Sequence, residues 1–389
     1  MDTDASHTDS RTTVTFTAVA FAGAIGTFVL IGVTSSLFGP LLTTFAQHFN
    51  VSLATAGTAL SLYYAGGVVG VAPGWIGAAR LPGAVVLSSA LAAVGLGALG
   101  VALAHDWLAF ALSIIVLGLG FGALATAVNS LLTRTTERGR ARRLSLANAG
   151  FGVGAIAGPL LSVGVHVHDL TTLFLGVAIV AFVLVGTTRG LHAPAHRGEH
   201  ARHSARPVGR RRILVTFVLA YVLYEALESA TSGWMATQLH QTGYSFTTSA
   251  VVNAVFWATF AATRLLGGPA HHRWHDGPLV LVSLAAGVLC AAAALAHILA
   301  PVAYPLLGVA LASVFPIGLV WYARLSPLDS DGVSMVMLFA MIGGVIGPGG
   351  VDLAVAHVGV RVVPLALAIL AVLDLAVFAS LTRRPPRPH

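Results

Sequence analysis

Twelve stretches of this sequence are each apolar over about 20 residues, the length of helix that crosses a hydrocarbon core ~30 Å thick. They cover 14–38, 51–73, 82–104, 107–131, 144–165, 170–188, 213–239, 247–268, 277–298, 300–323, 333–357 and 360–381. Only 9% of the 389 residues are charged, 56% are hydrophobic, and the mean hydropathy is +0.86. No soluble domain has that balance, so the chain reads as an all-α polytopic membrane protein with twelve transmembrane helices. The polar start MDTDASHTDSR lacks a basic leader, and the apolar run after it exceeds a signal-peptide core; residues 14–38 are expected to stay as the first span.

Charge sets the orientation. All 21 cationic side chains are arginines, and short cytoplasmic loops retain positive charge. Alternate loops and tails hold Arg80, the group Arg134 to Arg143, the run Arg189 to Arg212, Arg273, Arg324 and Arg383 to Arg387; the opposite set holds Arg361 alone. Both termini should therefore be cytoplasmic. The net charge of +7 belongs to these loops, where it meets anionic lipid, and is no signal for nucleic acid. The Ala, Gly and Arg bias points to a GC-rich prokaryotic genome, hence to a cell (inner) membrane. The lone cysteine, Cys290, excludes an internal disulfide and a multi-cysteine metal site.

The Arg- and His-rich segment 189–212 divides the chain, and its composition reads as a flexible cytoplasmic linker. The expected layout is a tail (1–13), a six-helix bundle (14–188), the linker (189–212), a second six-helix bundle (213–381) and a tail (382–389). The bundles echo each other. The fifth span reads GFGVGAIAGPLL and the eleventh GGVIGPGG, placing Gly154, Gly158 and Pro159 in one and Gly343, Gly347 and Pro348 in the other. Glycines four apart let helix backbones approach, and a following proline bends the helix. Internal repeats of this kind are common in transporters.

Twelve spans, a central linker and paired Gly-Pro helices together resemble the major facilitator superfamily over almost the whole chain. Degenerate loop motifs support the resemblance: GWIGAAR after the second span and TRLLGGPAHHR after the eighth, with Ala78 and His272 at the customary acidic positions. Arg264 and Arg273 match the basic positions that the family uses in its cytoplasmic gate. Five fragments look more narrowly like the fucose, galactose and glucose:proton symporter branch. They are Tyr224, Glu228, Gly233 and Trp234 in the seventh span; Phe256, Trp257 and Arg264 in the eighth; Asn129 ending the fourth; Asn148 to Pro159 in the fifth; and Phe315-Pro316 in the tenth. The branch's acids in the first and fourth spans are replaced by Ser35 and Ala125. Any coupled proton would have to be carried elsewhere.

The seventh span supplies the carriers. Tyr221, Tyr224, Glu225 and Glu228 follow i, i+3, i+4, i+7 spacing and share one face. Counted from Ile213 at about 1.5 Å per residue, Glu225 lies just beyond the bilayer midplane and Glu228 in the outer half. An acid at mid-depth must face water or a partner, or be neutral. No arginine is placed at mid-depth in any span, so no buried salt bridge to these acids is expected. Glu228, with Glu225, is the expected proton-coupling site, and the bland alternative is a neutral carboxyl bonded to a neighbouring helix. Trp234, Trp257, Asn129, Asn253 and Tyr224 join Glu228 as candidate substrate-binding residues, since sugars are held by hydrogen bonds around an aromatic face. Asp352 is placed at a cavity mouth. Asp374, nearer the cytoplasmic end, is expected to snorkel without a role. The clusters HVHD (166–169) and HHRWHD (271–276) lie in loops and read as solvated, not metal-binding.

The resulting expectation is a secondary transporter for a monosaccharide or similar small polar solute, monomeric and dependent on no cofactor. The alternative is proton-driven efflux of hydrophobic compounds, because Gly150 to Pro159 also resembles an exporter motif; its final glycine pair is replaced by Ser162 and Val163. No Ser, His and Asp set is placed together by periodicity, so no enzyme is expected.

Overall fold

A computed structural model describes residues 14–133, 137–164, 169–193, 208–266, 275–327 and 330–382. They form thirteen α-helices: α1 (Ala18–His48), α2 (Leu53–Arg80), α3 (Gly83–Leu103), α4 (Trp107–Thr133), α5 (Glu137–Gly164), α6 (Leu170–Thr187), α7 (Val208–Gln241), α8 (Phe246–Leu266), α9 (Asp276–Ala293), α10 (Ala300–Ala312), α11 (Val314–Leu325), α12 (Ser330–Val358) and α13 (Val363–Thr382). Eleven spans are long and apolar enough to cross a membrane, with α10 and α11 counted as one. The twelfth expected span is α2, 28 residues long but rich in Gly, Thr and Tyr. Large apolar side chains such as Leu108, Val183 and Ile298 point outward, as suits a chain whose solvent is lipid.

The first compact unit comprises Met1–Thr34, Gly66–Gly154 and Leu170–Arg202. Within it α3 packs against α4 and α6. Gly154 lets α5 approach α1 where any Cβ would strike the Val29 carbonyl. A short ladder was not foreseen: Thr15–Phe16 pairs antiparallel with Leu191–His192, and the Gly83 amide donates to the Ala193 carbonyl. The first residues of the expected linker are therefore ordered, and α7 starts at Val208, inside the linker's expected end. Residues 194–207 lie outside the described residues.

The second unit comprises Ser35–Ala65, Ala155–Asp169 and His203–His389. It groups parts of α1, α2 and α5 with the C-terminal helices. Small residues are the reason. A Cβ on Gly39 would strike the Ser232 carbonyl, and one on Gly57 would strike both Trp234 and Asp352. Gly343 and Gly347 do the same work on α12, lying against the Val222 carbonyl and the Ala226 backbone of α7. The glycine spacing thus predicted this close approach correctly.

The tenth expected span is not one continuous helix. It breaks at Ser313, between α10 and α11. Pro316 has no N–H to give the carbonyl four residues back, that of Ala312, so the ladder is interrupted there. The helix resumes once the Ile317 amide donates to the Ser313 carbonyl at 3.2 Å.

Candidate functional site

The break creates a polar site because the Ala312 carbonyl, which Pro316 leaves without an amide, needs a donor in an apolar surrounding, and carbonyls beside it take side-chain donors as well. Three side chains supply them. Arg264, near the end of α8, donates through Nε to the Ala312 carbonyl at 3.1 Å. Tyr224 of α7 donates to the Leu311 carbonyl at 3.2 Å, and Tyr221, one turn earlier, to the Phe315 carbonyl at 2.5 Å. Gly318 leaves room for the Tyr221 hydroxyl. The Arg264 guanidinium also lies 4.2 Å above the Phe260 ring, which holds it in place.

The predicted α7 stripe is present. Tyr221 and Tyr224 are fully buried, whereas Glu225 and Glu228 are half-buried. Glu228 accepts a hydrogen bond of 2.5 Å from the Tyr224 hydroxyl. Arg264 acts electrostatically on both carboxyls, and both carboxyls act on the Tyr64 hydroxyl of α2. Arg264 lies close to the C-terminal end of α8, and its long side chain reaches back to the break. Among the described residues neither glutamate forms an ion pair; the ion pair seen joins Arg324 and Asp276 at 2.9 Å.

The other predicted residues are distributed differently. Trp234 is completely buried and donates from Nε1 to Oδ1 of Asp352 at 3.0 Å. Asp352, placed by the sequence at a cavity mouth, is itself buried. Asn253 is buried and donates to the Ser232 carbonyl at 3.1 Å; Trp257 is enclosed by Phe256 and Phe260. Asn129 belongs to the first unit, exposed, with its amide donating to the Ala125 carbonyl at 2.8 Å. Gly158 and Pro159 are buried in α5, as are Gly347 and Pro348 in α12. Ser35, at the position of an expected acid, meets the Tyr63 hydroxyl at 3.4 Å. Arg273 and most of both histidine clusters lie outside the described residues.

Asp374 overturns its expectation. Far from snorkelling, it is fully buried in α13, and neither carboxylate oxygen has a hydrogen-bond partner among the described residues. Position along the helix suggested water, but packing of α13 against α7 and α9 closes the route. The break at Ser313 was the other feature missed, although Pro316 was its signal in the sequence.

The Major Facilitator Superfamily profile matches residues 23–332. The chain belongs to this superfamily. It is thus a multi-pass transporter of small solutes, not an enzyme. No curated protein matches its sequence. Among solved structures, a D-xylose-proton symporter superposes with a TM-score of 0.79 at 14% identity, covering 94% of this chain and 97% of that one. The nucleoside transporter NupG gives 0.76 at 14% identity, covering 95% and 100%. A single-residue variant of the fucose:proton symporter FucP of E. coli gives 0.64 at 18% identity, covering 93% and 98%. These likenesses establish the major facilitator fold, with its twelve spans in two related halves.

Proposed function

We propose that this superfamily member carries a monosaccharide across the cell membrane by alternating access, driven by a proton that Glu228 takes up and releases with Glu225 as its neighbour. The carrying observation is the half-buried Glu228, hydrogen-bonded to Tyr224 beside a broken helix. Broken helices at mid-membrane are where transporters of this architecture bind solute and ions. The similar solved structures include sugar-proton symporters, which supports a sugar among small polar solutes. The arginine distribution supports cytoplasmic termini, and the chain is taken to work as a monomer.

A thermal-shift panel of hexoses, pentoses and nucleosides on the purified protein identifies the ligand, because a ligand stabilises the state it binds. Uptake of the hit into proteoliposomes under an imposed proton gradient then tests the coupling. Glu228→Gln is expected to abolish accumulation against a gradient while leaving equilibrative exchange. Accumulation unchanged in that variant would refute the role of Glu228, and stabilisation by hydrophobic drugs alone would favour efflux.

A further inference from the structure

The Tyr224 hydroxyl has one proton to donate and two acceptors within reach. Glu228 Oε2 lies at 2.5 Å and the Leu311 carbonyl at 3.2 Å. The carboxylate holds the shorter bond, as a charged acceptor should. Leu311 sits in the last turn of α10, two residues before the break, so the weaker bond is the one that ties α7 to the break.

We propose that Tyr224 is a positioning residue that transmits the protonation of Glu228 to the α10–α11 break. This proposal rests on the reading of Glu228 as the proton carrier. When Glu228 is ionised it draws the Tyr224 proton towards itself and leaves the Leu311 carbonyl weakly held. When Glu228 takes up a proton, its O–H donates to the Tyr224 oxygen, and the phenol O–H turns wholly to Leu311. The break is then tied down from both sides, with Arg264 on Ala312 and Tyr221 on Phe315 already in place. Release of the proton reverses the exchange of partners.

The charged and titratable groups around this relay come from several helices. Glu225 and Tyr221 lie on α7 itself, Tyr64 approaches from α2, and Arg264 from α8. Asp374 of α13 lies near Tyr221. On α12 Gly343, which carries no charge, lies against Glu225. Among the described residues only Tyr224 bonds both Glu228 and the break. Tyr221 holds the same break without touching either glutamate's carboxyl, and so serves as an internal control.

The test is a double-substitution cycle read at the break. In a Cys290→Ser background, Ser313→Cys reports opening through its rate of alkylation by N-ethylmaleimide at one fixed pH in lipid nanodiscs. Glu228→Gln, which carries a donor where the protonated acid would, is expected to slow alkylation about fivefold, the effect of one hydrogen bond. Adding Tyr224→Phe should erase that difference, whereas adding Tyr221→Phe should leave it. An unchanged rate in Glu228→Gln, or an equal slowing with Tyr224→Phe present, overturns the relay. The uptake assay is independent: Glu228→Gln that still accumulates solute removes the proton-carrier reading, while the alkylation cycle still decides whether Tyr224 links Glu228 to the break.

Discussion

At Asp374 two carboxylate oxygens are buried in an apolar helix packing with no donor, and a charge there would cost more than the fold can readily supply. Asp374 is therefore expected to be neutral and replaceable. Asp374→Asn should preserve solute uptake and keep the unfolding temperature within a few degrees of the parent, since one hydrogen bond is worth about 1 kcal/mol. A loss of uptake with intact folding would instead give this acid a part in transport. Glu228 differs because it is half-buried and bonded to a phenol, so an isosteric change there should remove coupling while leaving the protein folded. Both acids are visible in the sequence as charges within apolar runs. Which one faces an opening and which is sealed depends on neighbouring helices that the local pattern does not contain.

At the scale of elements, α12 and α7 illustrate what periodicity predicts well. Gly343 and Gly347 are four apart on one face, and the α7 backbone lies against them. Gly347→Val should overpack this contact and destabilise the protein by roughly 1–3 kcal/mol, visible as a lower unfolding temperature in detergent. The α10–α11 break was harder to see, because hydropathy is continuous across 300–323 and, of its prolines, Pro301 and Pro305 lie within α10 while Pro316 follows the break. Pro316→Ala restores the missing amide. Arg264→Gln is expected to lower the unfolding temperature in the parent, through loss of a charge-assisted bond, but much less in the Pro316→Ala background. Equal losses in both would mean that Arg264 does not serve the Ala312 carbonyl.

For the molecule as a whole, a seal joins the two ends of the sequence. Trp234 and Asp352 close over Gly57, Thr237 donates to the Gly39 carbonyl at 2.8 Å, and Ser61 donates to the Val345 carbonyl at 3.1 Å. The proposed cytoplasmic termini would turn this end away from the cytoplasm. Asp352→Ala should loosen it and speed labelling of a Ser61→Cys reporter by an impermeant maleimide added from outside. Asp352→Asn, which keeps an acceptor for Trp234, should label almost as slowly as the parent; equal labelling of all three would discount the seal. The sequence by itself determined the membrane class, the number of spans, the α7 stripe and the close-packing glycines. Those follow from hydropathy, helical period and side-chain size, all of which are local. Only the tertiary structure decided that Trp234 is closed by Asp352, that Arg264 reaches the break, that Asp374 is sealed and that parts of α1, α2 and α5 pack with the C-terminal helices. Each of these depends on which surfaces meet across distant parts of the chain, and within an apolar composition many such pairings look alike until the helices are packed.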